Sequence, residues 1–188
     1  MGSLTNQILI SMPHMADPYF SKAVVYVCEH NKEGAMGMII NKQFQAPDLK
    51  ELFVKLYIGD DTIHSLVNDI FFGGPVLLER GIVLHDATYN SEGTINISES
   101  ISMTSQQHVL KELQRRPDIP FKLMLGHSGW SQASLNGRTS RGLPGRFRKL
   151  VLSGQEGWVT AVGPTNPTAT TMTSMSQEQS LLIGKSAM

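Results

Sequence analysis

Residues 22–42 read KAVVYVCEHNKEGAMGMIINK, and the way this stretch folds decides the architecture. Its first half is rich in Val and Tyr, as a buried strand should be. Its middle, Glu29 to Ala35, is polar and holds Gly34, which can adopt positive φ, so residues 23–41 predict a β-hairpin. Period two puts Val24, Tyr26 and Cys28 on one face and turns Glu29 the other way, with His30 at the turn. Cys28 then reads as a small core residue, although a thiol, a carboxylate and an imidazole in succession also invite a reactive-site reading.

Working outward, QILISMP (residues 7–13) is a second strand stopped by Pro13. Asp17, just before Pro18, is a turn former and a candidate partner for a histidine. Downstream, Leu49, Leu52, Phe53, Leu56 and Tyr57 make the stripe of a helix with Pro47 near its start and Gly59 past its end. Three strand-like runs follow in NDIFFGGPV, GIVLHDA and GTINIS, then a helix in SQQHVLKELQRR stopped by Pro117. FKLMLGHSGW reads as a strand ending in a glycine-rich turn. The order β-β-β-α-β-β-β-α-β lacks the regular alternation of a doubly wound sheet, and no dinucleotide or P-loop motif is present, so the expectation is an α+β, mostly antiparallel fold. Residues 163–188 have neither period and the composition of a flexible polar tail.

The chain has 188 residues, enough for one domain, with 16 basic and 16 acidic residues. That balance argues against a purely electrostatic nucleic-acid or membrane binder. A single cysteine, no apolar run of roughly 18 residues and no signal-like start make a cytoplasmic protein the expectation. Nothing resembles a metal motif, and no cofactor or structural metal is expected.

Two glycine-rich stretches carry the candidate chemistry. GHSGW (126–130) falls one residue short of the G-x-S-x-G nucleophile elbow, because Trp130 replaces the last glycine. It reads either as a tight turn with Trp130 over the core or as a set of backbone N–H groups offered to an oxygen. Gly73 and Gly74 allow the same two readings, since they can also serve a bulge or a close strand contact. The enzyme alternative takes His85 or His30 as base, Ser128 or Cys28 as nucleophile and the glycine turn as oxyanion site. It requires base and nucleophile about 3 Å apart.

Taken together, LISMPHMADPYFSKAVVYVCEHNKEGAMGMIINK, GGPVLLERGIVLHD and LGHSGW resemble the YqgE/AlgH family of small bacterial proteins over most of residues 5–131. The resemblance implies a bifurcated sheet curled into a pseudo-barrel, and a regulatory link to exopolysaccharide production described for some members. It transfers no catalytic residue. On this reading the chain is a non-enzymatic regulatory or binding domain for a small ligand or protein. Its candidate surface comprises Asp17, Glu29, His30 and Asn41 from the first half, Gly73, Gly74, Pro75 and His85 from the middle, and Gly126, Ser128, Gly129 and Trp130. The domain spans residues 1–162, of which 131–162 are atypical. Where the family continues with a Gly-Gln-Leu-Glu-type segment, this chain reads SQASLNGR, which loss of one nucleotide from codons for Ser-Pro-Gly-Gln-Leu-Glu-Arg-Glu would produce. The basic cluster Arg138, Arg141, Arg146, Arg148 and Lys149, the sole candidate for nucleic acid, lies in that segment.

Overall fold

The computed structural model describes residues 3–44, 70–135 and 147–150. The helix expected over 47–59, most of the atypical segment and the polar tail lie outside these residues. Strands β1 (Gln7–Ser11), β2 (Val24–His30) and β3 (Gly34–Ile39) form an antiparallel meander. After them come β4 (Ile70–Phe72), β5 (Val76–Asp86), β6 (Ile95–Asn96), β7 (Ile101–Thr104), helix α1 (Gln107–Gln114), β8 (Phe121–Ser131), the short helix α2 (Gln132–Leu135) and β9 (Phe147–Leu150).

The strands order as β6-β7-β5-β8-β3-β2-β1-β9, with β4 joining β8 off this path. All pairings are antiparallel except β4 with β8. The expected hairpin is present, and its apolar alternation explains the curl. Tyr26, Cys28, Met38, Leu84, Met103 and Met124 come from five strands into one cluster, so the sheet wraps around its own face as a half-barrel. Val25, Val27 and Ile39 point the opposite way and are covered by Leu135 of α2, Phe20 and Trp130. This double burial is why β2 reads as a continuous apolar run rather than a strict alternation.

Helix α1 buries Val109, Leu110 and Leu113, the expected stripe, against Val83, Leu123 and Leu125. It ends at Gln114, short of Pro117, whose ring disfavours helical backbone in the residue before it. Two sequence expectations need correction. The expected order lacks β7, whose four residues ISMT follow directly on SES, residues that favour turns. GHSGW is no turn: it is the second half of the 11-residue β8, which pairs with β5 through residues 121–125 and His127, with β4 through residues 123–125 and with β3 through residues 128–131. Gly126, at φ +70°, lets one strand change sheets midway, which makes the sheet bifurcated.

Candidate functional site

At the fork, two glycine segments cross. The N–H of Gly73 donates to the Leu125 carbonyl at 2.8 Å, and the Gly73 carbonyl accepts from Ile39 N–H at 2.8 Å. A Cβ on Gly73 would stand 2.2 Å from the Gly126 carbonyl oxygen, one on Gly74 2.3 Å from Ser128 Oγ, and one on Gly126 2.4 Å from the Gly74 oxygen. These glycines are therefore accounted for by close backbone approach: each fills the space beside the other. Ser128 Oγ lies buried between them and donates to the Gly73 carbonyl at 3.3 Å. Pro75 follows directly, half-buried.

The other candidates are held by separate local bonds. Asp17 Oδ1 accepts from the N–H groups of Tyr19 (2.9 Å) and Phe20 (3.0 Å), closing a turn. Asn41 ties the base of the β2–β3 hairpin to the preceding segment, accepting from Val24 N–H at 2.8 Å and donating to the Lys22 carbonyl at 2.9 Å. Glu29 is exposed and accepts from Asn31 Nδ2 at 2.8 Å. His30 Nδ1 accepts from Leu4 N–H at 2.9 Å, tethering the N-terminal segment to β2. Trp130 is half-buried with its ring 5.9 Å from that of Phe20.

The structure does not assemble the catalytic pairs that the enzyme alternative needs. His85 sits opposite Phe121 and faces the α1 side, whereas Ser128 lies seven residues further along β8, about 23 Å away at about 3.3 Å per residue. His85 is fully buried against Tyr89, its Nδ1 2.9 Å from the Asp86 carbonyl. Burial lowers its pKa, against smaller opposing effects of the Asp86 carbonyl and carboxylate, so it is held neutral. Cys28 is the extra residue of a β-bulge, between the pairs Val27–Gly37 and Glu29–Met36, and points into the barrel, away from Ser128. Burial first, then the Glu29 charge, pushes its thiol pKa up, the opposite of an activated nucleophile. We expect a disulfide-exchange reagent to label native Cys28 about a thousand-fold more slowly than free cysteine, with full reactivity only in denaturant. Rapid labelling of the folded protein would show that the barrel opens locally at β2.

Among the described residues no group of three or more His, Cys, Asp or Glu side chains could hold a metal ion, and no helix is long and apolar enough to cross a membrane.

Sequence reasoning missed two features. Lys122 is buried inside the barrel, its Nζ 4.3 Å from the centre of the Phe71 ring. The signal was a lone lysine at an inward position of FKLML. The second is the rim where β5 meets β8. Between Val76, opposite His127, and Gly81, opposite Leu125, β5 advances five residues where β8 advances two, so residues 77–80 form a bulged loop within the strand opposite the single residue Gly126. Within the loop Leu77 adopts φ +50°, uncommon for a bulky side chain, and Val76 and Leu77 are exposed.

Comparison with known proteins agrees with this architecture. A family model described as AlgH-like matches residues 8–142. A UPF0301 protein of Ralstonia nicotianae is 43% identical over 141 residues, covering 74% of this chain and 73% of the relative. One from Burkholderia vietnamiensis is 42% identical over 144 residues with the same coverage. Among solved structures, the AlgH protein from Pseudomonas aeruginosa aligns over 93% of this chain and 90% of its own, at 26% identity and a TM-score of 0.66. A protein from Corynebacterium diphtheriae, 13% identical with a TM-score of 0.57, shares the fold. With its curled, forked sheet and this match over most of its length, the chain belongs to the AlgH-like, UPF0301 family.

Proposed function

We propose that this chain is a cytoplasmic regulatory domain that acts by binding a small ligand or a protein, without chemistry of its own, and that it contributes to control of exopolysaccharide production. One observation carries the non-catalytic part: the four groups that chemistry would need, Cys28, Ser128, His30 and His85, are separately committed to core packing or backbone bonds. The similarity to the Pseudomonas aeruginosa AlgH protein supports the regulatory part. Because backbone fills the glycine crossing, the binding surface is assigned to the rim beyond it. There Gly129 is exposed and a Cβ would meet nothing within 4 Å.

The test is complementation. In a bacterium lacking its homologous gene, the wild-type chain should restore exopolysaccharide yield, and Ser128→Ala and His30→Ala should restore it to within about two-fold. Each variant loses only about 1 kcal/mol of hydrogen bonding, which a folded domain tolerates. A folded Ser128→Ala protein that fails to complement would overturn the non-catalytic reading. No change in exopolysaccharide on deletion would overturn the regulatory one.

A further inference from the structure

We infer that the rim formed by the β5 loop and the second half of β8 is a binding site for a small oxyanion, a phosphate or carboxylate group, held by Arg80, Ser105 and the ring of His127. This inference rests on the binding-domain reading above and names the ligand class.

Four observations converge at this place. Arg80 is exposed at the end of the bulged loop and donates from Nη2 to Ser105 Oγ at 3.1 Å, which ties the guanidinium to the residue just after β7. His127 stands opposite Val76, where the loop begins, close enough to Arg80 for its charge to favour the neutral imidazole, alongside the larger effect of burial. Of the two His127 ring nitrogens, Nδ1 is shut away without a hydrogen-bond partner. The ring is half-buried, and a neutral imidazole can carry its proton on Nε2, the nitrogen that is not shut away, and donate from there. Finally, Gly129 lies two residues from His127 on β8 and so shares its face, and the space above it is empty.

A guanidinium, a hydroxyl and an imidazole able to donate from Nε2, near the open space over Gly129, match an oxygen-bearing anion. The strained backbone at Leu77 fits the same picture, since uncommon φ values collect where a loop is shaped for binding. Glu79 on the same loop is exposed and opposes a bound anion, so the expected affinity for a bare ion is in the millimolar range.

The experiment is a titration of the full chain with sodium orthophosphate at constant ionic strength, followed by the ring resonances of His127 and the Gly129 amide. Saturable shifts at both are expected, with Arg80→Gln weakening the apparent affinity about ten-fold and His127→Asn weakening it by a smaller factor. Arg80 is exposed, so the variant should keep the wild-type spectrum away from the rim. Glycerol phosphate and acetate, titrated in the same way, identify the source. Tighter binding of the ester assigns the site to a phosphorylated metabolite, and tighter binding of acetate to a carboxylate. Absence of saturable shifts with all three anions, or an Arg80→Gln affinity within two-fold of wild type, would overturn the inference and leave the complementation result untouched.

Discussion

Gly126→Ala is expected to cost about 3–5 kcal/mol, enough to unfold much of the population of a domain of ordinary stability. Two effects add. The left-handed backbone at φ +70° disfavours any L side chain by about 1–2 kcal/mol. The new Cβ would also lie 2.4 Å from the Gly74 carbonyl oxygen and 3.0 Å from that of Val76, atoms of backbone rather than of a flexible side chain. The crossing has little room to shift, because Gly73 is bonded on one side to Leu125 and on the other to Ile39. Gly129→Ala, three residues on in the same strand, meets open space and should change stability by less than about 0.5 kcal/mol. Urea unfolding followed by far-ultraviolet circular dichroism measures both. A Gly126→Ala midpoint close to that of Gly129→Ala would mean that the crossing is looser than described.

The second large effect is expected inside the barrel. Leu84 is fully buried, paired across β5 with Met103 of β7 on one side and Lys122 of β8 on the other. Truncation to alanine removes buried methyl groups and leaves a cavity whose walls belong to different strands and cannot close together, at a cost of about 3–4 kcal/mol. Ile95 on the edge strand β6 is 57% exposed, and Ile95→Ala should stay within about 0.5 kcal/mol of wild type. Equal losses at the two positions, read from the same unfolding curves, would indicate that the sheet packs flat rather than curling around Leu84.

Much of this fold is legible in the sequence because much of it is local. The alternation through Val24, Tyr26 and Cys28 assigns each side chain to a face before any partner strand is known, and Val109, Leu110 and Leu113 do the same for α1. The exposure of Glu29 does not follow from parity: Val25 and Val27 share its phase and are buried, and Glu29 lies beyond the Cys28 bulge near the end of β2. GHSGW reads as a turn for an equally physical reason. Glycine and serine favour turns, but a strand that changes partners midway needs the same small residues, and only the pairing with β3 distinguishes the two.

Ser128, His85 and Cys28 are residue types that react when they meet, and whether they meet depends on register. By itself the sequence determined the β2–β3 hairpin, the amphipathic helix α1, the α+β class and, through three motifs in order, the family. Tertiary structure alone decided that Gly73 and Gly126 let two backbones cross, that His85 on β5 pairs at the far end of β8 from Ser128, and that Arg80 reaches Ser105 across the sheet. The division has one cause. Periodicity acts between neighbours along the chain, whereas a site forms from residues tens of positions apart, joined by strand pairings that the chain spells out only when folded.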